Sequence, residues 1–171
     1  MPRFVALLRG VSPVNAKMPV LKRCFEVAGF TNVRTVLSSG NVVFDSAAST
    51  EAALERQAEE AMLQTLGRSF YAIIRPSAYL RSLLASDPFA GHGIPAHAKR
   101  VVSFLREARE PRVALPLARD HASLFCMIGR EAFTAYVPTD KGPVFMNLIE
   151  RAFGTEVTTR TLETVAKCAN A

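Results

Sequence analysis

Residues 4–46 read FVALLRGVSPVNAKMPVLKRCFEVAGFTNVRTVLSSGNVVFDS, and this stretch decides the fold class. The apolar run at 4–8 predicts a strand. A helix is predicted between Pro19, which suits a first helical turn, and Gly29, which suits a helix end. Residues 33–37 and 42–44 read as two strands of a hairpin, because the residues between them are typical of a turn. The stretch therefore predicts the order strand, helix, strand, strand.

The residues that follow complete a recognised unit. Helical spacing of apolar residues predicts a helix that starts near Thr50 and ends at Gly67. The apolar run at 70–74 predicts a strand, which Pro76 stops. The resulting order β-α-β-β-α-β is that of a ferredoxin-like unit.

The second half repeats this order less clearly. A connector helix is predicted at 77–85, followed by a loop rich in Gly and Pro at 87–95. The further expected elements are a strand at 100–105, a weak helix at 111–118, hairpin strands at 123–128 and 132–137, a helix at 143–153, a strand at 155–159 and a terminal helix at 161–169.

These elements predict an α+β fold of duplicated ferredoxin-like (βαββαβ) subdomains packed as one compact unit. The expected domains are an N-terminal ferredoxin-like subdomain at 1–76, a connector helix and loop at 77–98, and a C-terminal ferredoxin-like subdomain with a terminal helix at 99–171. Such a fold hosts many unrelated functions, so the function has to be argued from a site.

The positive charge of the chain is concentrated near its N-terminus. The formal net charge is +6 over 171 residues, and residues 1–50 hold six Lys and Arg against only two acidic residues. A basic region of this kind suits an anionic partner, either a phosphorylated small molecule or nucleic acid. The alternative is a basic surface that only keeps the protein soluble.

The three cysteines are far apart in the chain and are expected to be small buried hydrophobic residues in a reducing compartment. No apolar segment has the length of a transmembrane helix or of a signal-peptide core. We therefore expect a cytoplasmic protein without a membrane partner, whose oligomeric state the sequence leaves open.

The best candidate site combines the polar loop at 9–17 with the hairpin turn at 38–41. Both follow strand ends, and glycines at positions 10 and 40 permit a close approach of the backbone to a ligand. The possible donors to phosphate or carboxylate oxygens are Arg9, Asn15, Lys17, Arg34, Ser38, Ser39 and Asn41. The alternative is that these residues only shape a turn and cap the following helix.

Arg160 is a second candidate, because it ends a predicted strand just before a helix. A helix N-terminus is a natural place for an anion. The alternative is a structural ion pair between Arg160 and either Glu163 or Glu156.

The remaining histidines, serines and acidic residues do not form a recognised metal-binding or catalytic motif. His92, His97 and His121 have no ligand partners at metal-binding spacing, so neither a metal site nor a cofactor is predicted. No serine lies in a nucleophile elbow, so no catalytic residue is predicted. The acidic residues of the second helix, which are Glu51, Glu55, Glu59 and Glu60, read as a solvent-exposed face.

The chain resembles a bacterial family known as domain of unknown function 1697. The resemblance is carried by the segments at 8–11, 15–18, 29–35 and 38–44, and by a C-terminal segment with Thr158, Thr159, Arg160, Thr164, Val165 and Lys167. It implies two ferredoxin-like halves and no established activity. The Asn-Trp pair usual after the arginine is replaced here by Thr161 and Leu162.

Three hypotheses for the function follow. The leading one is an uncharacterised protein that binds an anionic ligand (a nucleotide, a phosphorylated metabolite or nucleic acid) at its basic N-terminal loops. The second is a small enzyme acting on a phosphorylated or carboxylated substrate in a cleft between the halves. The third is a protein-interaction module that uses an exposed sheet edge.

Overall fold

The computed structural model describes residues 1–171 and has the predicted α+β composition, with five helices and two antiparallel sheets. The chain forms two compact units, one made of residues 1–85 and 166–171 and the other of residues 86–165. The boundaries predicted at 76 and 98, and the packing of the halves as one unit, stay predictions.

The first unit has the element order predicted for the first half of the chain. Its elements are β1 (Arg3–Leu8), α1 (Met18–Val27), β2 (Thr31–Val36), β3 (Asn41–Asp45), α2 (Glu51–Leu66), β4 (Ala72–Pro76) and α3 (Ser77–Ala85). The four strands form one sheet in the order β2-β3-β1-β4, and each neighbouring pair is antiparallel. Strands β1 and β2 therefore end, and strands β3 and β4 begin, at the same end of the sheet.

The helix ends follow the predicted local chemistry. The side chain of Thr50 accepts a hydrogen bond of 3.1 Å from the backbone N–H of Ala53 and so caps α2. Gly67 ends α2 in the left-handed conformation, with φ of 75° and its N–H bonded to the carbonyl of Leu63. Pro19 lies in the first turn of α1, where its missing N–H costs no helical hydrogen bond.

The core of the first unit lies between one face of the sheet and helices α1 and α2. Four phenylalanines form its centre, with Phe44 in ring contact with each of the other three, Phe4, Phe25 and Phe30. Both faces of β1 are buried from Phe4 to Leu8, which explains why apolar residues run continuously along this strand.

Carboxylates of α2 cover the open edge of β4, which has only β1 as a strand neighbour. Glu55 accepts the N–H of Ile74 at 3.0 Å, and Glu59 accepts the N–H of Ala72 at 3.0 Å. Glu55 is only 5 % exposed, so the expectation that it belongs to a solvent-exposed face is wrong. Helical spacing places the two carboxylates one turn apart, opposite alternate N–H groups of the strand.

We expect Glu55→Ala to lower the free energy of unfolding by about 2–3 kcal/mol, because it leaves the buried N–H of Ile74 without its acceptor. Glu60→Ala on the same helix is the control, since Glu60 is exposed and its loss should change stability by less than about 0.5 kcal/mol. Urea unfolding followed by circular dichroism measures both. Equal midpoints for the two variants would contradict a structural role for Glu55.

The second unit has a different order of elements. They are β5 (Lys99–Phe104), β6 (Leu117–Arg119), β7 (Ala122–Ile128), β8 (Glu131–Tyr136), α4 (Val144–Phe153), β9 (Thr158–Thr161) and the start of α5 (Leu162–Ala169), whose end belongs to the first unit. The strands form one antiparallel sheet in the order β6-β7-β8-β5-β9, and α4 packs on one face of it.

The helix predicted at 111–118 is wrong. The structure has strand β6 at Leu117–Arg119, preceded by residues without regular structure. Pro116 lacks the N–H that a helix interior needs, and the N–H of Arg112 instead donates to the carbonyl of Ala152 at 2.8 Å. The segment is thereby held against the end of α4. The last strand is also shifted, since β9 covers Thr158–Thr161 and not 155–159.

Candidate functional site

The sheet of the first unit brings the two predicted loops together. The N–H of Leu8, the last residue of β1, donates to the carbonyl of Gly40 at 2.9 Å. The N–H of Arg9 donates to the carbonyl of Tyr71 at 2.9 Å, on the other side of β1. Residues 9–17 therefore start between the hairpin of β2 and β3 and the segment that enters β4. We call residues 9–17 and 37–40 together the loop–hairpin edge.

Gly40 lies in direct contact with the first of these loops. A Cβ atom at this position would lie 2.8 Å from Cβ of Val11 and 3.2 Å from Cβ of Leu8. Its φ of +86° is also one that residues with a side chain rarely adopt. The sequence suggested that Gly40 lets the backbone approach a ligand closely. In the structure, Gly40 instead lets the hairpin pack directly against the loop.

Asn15 shapes the loop from within. Its Oδ1 accepts the N–H of Ser12 at 2.9 Å, and its Nδ2 donates to the carbonyl of Gly10 at 2.8 Å. Because both ends of the amide bind backbone groups of the loop, we assign Asn15 to holding the loop rather than to contacting a ligand.

Asn41 has a similar role in the hairpin. The connection is a four-residue loop at 37–40, so Asn41 is the first residue of β3 and not part of the turn as predicted. Its side chain is fully buried and donates to the carbonyl of Val36 at 3.0 Å and to Oγ of Ser39 at 3.2 Å. Asn41 therefore fixes the geometry of the loop that carries the two serines.

The other predicted donors are accessible. Lys17, Arg34, Ser38 and Ser39 are exposed, and Arg9 is half-buried. Lys17 and the serines lie within the loop–hairpin edge. Arg34 lies on the edge strand β2, opposite Val43 and two positions before the strand ends. The first unit thus presents cationic and hydroxyl donors at the same edge of its sheet.

The electrostatics of this edge favour an anion. Residues 9–17 and 37–40 contain no Asp or Glu. Helix α1 begins directly after Lys17, whose side chain provides no acceptor for the first N–H groups, and its first turn has no acidic residue. The positive end of the helix dipole and the nearby cations therefore act in the same direction.

Asp45, the only acidic residue of β3, lies at the opposite end of the strands. Asp45 is opposite Arg3 in the register of β1 and β3 and accepts a hydrogen bond of 2.7 Å from it. Hydrogen bonds from Asn32 and Arg3 lower the pKa of the Asp45 carboxyl. Arg3 is thereby neutralised at the end of the strands that lies opposite the loop–hairpin edge.

Arg160 belongs to the second unit and is not among the residues that the first unit brings together. It lies on β9 opposite Val102 and is half-buried. Its guanidinium donates to Oγ1 of Thr158 at 2.6 Å and to the carbonyl of Thr159 at 3.0 Å. These contacts give Arg160 a structural role within its strand.

Two features were missed in the sequence. Arg68 lies in the segment that enters β4, and its guanidinium carbon is 4.8 Å from the centre of the Phe70 ring. Arg68 lies between the helix end at Gly67 and a predicted strand. This position in the sequence could have indicated that Arg68 lies beside the first residues of that strand. In the second unit, His92 and His121 line one cavity, although 28 residues separate them in the chain, and no spacing rule would find that pair.

No group of three or more His, Cys, Asp or Glu residues is arranged to hold a metal ion. None of the helices has the length and apolar character needed to cross a membrane. Cys24 and Cys168 are buried, as predicted, and burial raises the pKa of the thiols of Cys24 and the half-buried Cys126.

Comparison with known proteins gives a family and a fold. The sequence profile of the family described as "Protein of unknown function (DUF1697)" matches residues 1–133. A solved structure of the conserved bacterial protein SP0830 from Streptococcus pneumoniae superposes with a TM-score of 0.73 at 18% identity, covering 99% of this chain and 97% of that chain. At this identity the likeness concerns the fold alone. No curated protein matches the sequence.

Proposed function

Because this chain belongs to the DUF1697 family of proteins of unknown function, and its first unit places cationic and hydroxyl donors in two segments without Asp or Glu, we propose that it binds an anionic ligand at the loop–hairpin edge. The ligand class is a phosphate-bearing molecule: a nucleotide, a phosphorylated metabolite or a nucleic-acid backbone. Phosphate oxygens accept hydrogen bonds from cationic, hydroxyl and helix N-terminal donors, which are the groups present at this edge.

The observation that carries the proposal is the contact of Gly40 with Val11, which seats the hairpin against the loop. Ser38 and Ser39 thereby share an edge with Arg9 and Lys17. Asn15 and Asn41 support the proposal indirectly, because they fix the two backbone segments before any ligand arrives. A preformed arrangement lowers the entropy cost of binding.

The open edges of the first sheet argue against an interaction module that adds a strand. The N–H groups of Ala72 and Ile74 on β4 are already bound by carboxylates of α2. The other edge strand, β2, has an irregular register between Thr31 and Arg34 and carries the exposed charge of Arg34. Irregularity and charge are two ways in which proteins keep an edge from pairing.

The ferredoxin-like topology of the two units is likewise a proposal. We interpret the first unit as ferredoxin-like and the second as a ferredoxin-like unit in which β6 and the irregular residues before it replace the first helix. The order β7-β8-β5-β9 would then correspond to β2-β3-β1-β4. A cytoplasmic location and the absence of a cofactor remain predictions.

A thermal-stability screen tests the proposal. Inorganic pyrophosphate, nucleotides, sugar phosphates and short oligonucleotides are added at low and high salt. A ligand at a hundred times its dissociation constant adds about 2.7 kcal/mol to the free energy of unfolding. Stabilisation by one small molecule that persists in high salt indicates a specific pocket, whereas stabilisation by oligonucleotides that fades with salt indicates contacts to the nucleic-acid backbone.

We expect the double variant R9E/K17E to weaken phosphate-ligand binding at least about tenfold, because each reversal removes a donor and adds a repelling charge. The matched control is K22E/R23E, which makes the same change in net charge at two exposed positions of α1. Titration calorimetry with the stabilising ligand measures both. Equal affinity of the two double variants would show that only overall charge matters and would refute the site.

A further inference from the structure

The second unit contains a cavity of about 230 Å³ that is separate from the loop–hairpin edge and does not depend on the proposal above. It lies between the loop that precedes β5 and the strands β7 and β8. The lining residues that matter here are His92, Ala98, His121, Ser123, Phe125 and Ala135. All of them belong to residues 86–165, so the cavity is a property of this unit alone.

One wall of the cavity is a pair of stacked rings. The imidazole of His92 and the ring of Phe125 have centroids 4.7 Å apart and planes inclined by 26°. Phe125 lies where the register of β7 and β8 shifts between Leu124 and Cys126. The irregularity places an aromatic ring beside the cavity, and the loop folds His92 over it. A planar ring is the ligand shape that stacks well against such a wall.

A second wall is formed by Ser123 and Ala135, which lie opposite each other in the register of β7 and β8. Tyr136 also lines the cavity, and its own ring stacks on Phe145 at a centroid distance of 4.0 Å and an angle of 4°. Tyr136 is therefore held in place by α4 and does not need a ligand to order it.

The polar groups around the cavity can donate hydrogen bonds, and no carboxylate is among them. Neither Asp nor Glu lines it, while two imidazoles and the hydroxyl of Ser123 do. Arg100 lies opposite Ala135 in the register of β5 and β8, and its guanidinium donates to the carbonyl of Ala98 at 3.2 Å. Since Ala98 and Ala135 both line the cavity, a cation lies beside it.

The nearest acidic residue in the sequence is engaged elsewhere. Asp120 precedes His121 and pairs with Lys141 at 2.9 Å and with Arg119 at 3.4 Å. The hydrogen bond from Lys141 lowers the pKa of the Asp120 carboxyl. Asp120 is held by two cations and does not line the cavity. No carboxylate of the protein therefore opposes a ligand that carries its own negative charge.

From these observations we propose that the cavity binds a small planar aromatic acid. The ring lies against the His92–Phe125 stack, and the carboxylate accepts hydrogen bonds from the imidazole and hydroxyl donors with Arg100 beside them. The volume is below the range of about 300–1,000 Å³ typical for drug-sized ligands, which limits the ligand to one or two rings. The exposed edges of His92 and His121 leave the cavity open to such a molecule.

The test uses four probes of matched size with the full chain. Benzoate and nicotinate are planar aromatic acids. Cyclohexanecarboxylate keeps the charge but loses the planar ring, and benzamide keeps the ring but loses the charge. Saturation-transfer NMR at millimolar concentrations reports binding. We expect saturable binding of at least one aromatic acid and at least about tenfold weaker binding of both the non-planar acid and the amide.

The variants H92A and H97A locate the site. His97 is exposed in the same loop but does not line the cavity, so it is a matched control. Loss of one stacking partner predicts affinity about three- to tenfold weaker for H92A and unchanged for H97A. Because His92 is exposed, H92A is expected to fold, and amide spectra of both variants check this.

Three results would overturn the proposal. One is the absence of saturable binding by either aromatic acid. Another is equal binding of benzoate and cyclohexanecarboxylate, or of benzoate and benzamide, which would remove the ring or the charge from the recognition. The third is equal affinity of H92A and H97A for the same acid, which would place the ligand outside this cavity.

Discussion

Replacing Gly40 by alanine is expected to lower the free energy of unfolding by about 2–5 kcal/mol. Two costs add at this position. The left-handed backbone costs a residue with a Cβ about 1–2 kcal/mol, and inserting a methyl group into a packed contact costs about 1–3 kcal/mol more. The contact is tight because the new Cβ would lie 2.8 Å from Cβ of Val11, an atom that moves only with the backbone of the loop.

Gly10→Ala separates these two costs. Gly10 has a similar φ of +82°, but a Cβ there would meet no atom within 4 Å. The Gly10→Ala variant should therefore lose only the conformational part of the free energy of unfolding, about 1–2 kcal/mol. Chemical unfolding of both variants gives the comparison. If G40A is no less stable than G10A, the hairpin is not seated on the loop as described, and the basis of the candidate site fails with it.

Replacing Phe44 by alanine is expected to lower the free energy of unfolding by about 3–5 kcal/mol. The ring is fully buried and contacts three other rings, including Phe30 in a stacked arrangement with centroids 4.2 Å apart. Removing it opens a cavity between the sheet and α1, where the side chains of β1 and β3 cannot collapse without breaking their register.

Leu63→Ala is the control for Phe44→Ala. Leu63 lies on α2 with 56% of its surface exposed, so its truncation removes apolar area without opening a cavity. Its effect should stay within about 0.5 kcal/mol. Thermal or urea unfolding measures the difference. A loss below about 1.5 kcal/mol for F44A would show that the aromatic cluster does not hold the first unit together.

The first half of the fold could be predicted because its local signals agree with one another. Pro19, Thr50 and Gly67 mark helix ends through backbone chemistry that acts within a few residues, and the structure uses each of them as expected. The second half was harder, because the signals there conflict. Residues 111–118 predict only a weak helix, because Pro116 lies inside it, and in the structure this segment is held instead by a hydrogen bond from the N–H of Arg112 to the carbonyl of Ala152.

The candidate site shows the same limit. The sequence identified which segments carry polar groups, but not which groups turn inward. Asn15 and Asn41 resemble ligand donors in the sequence, yet their side chains bind the backbone carbonyls of Gly10 and Val36. Glu55 resembles a surface acid by its helical position, yet it is buried against β4. Such contacts depend on the conformation of the loop and on tertiary packing, which the residue pattern alone does not give.

The proposed anion site is tested most directly by an amide NMR titration of the ¹⁵N-labelled protein with inorganic pyrophosphate. We expect saturable shifts at residues 9–17 and 37–40, including the N–H groups at the start of α1, and their loss in R9E/K17E but not in K22E/R23E. Shifts centred in the second unit, or shifts that scatter over all exposed Lys and Arg residues without saturation, would contradict an anion site at the loop–hairpin edge.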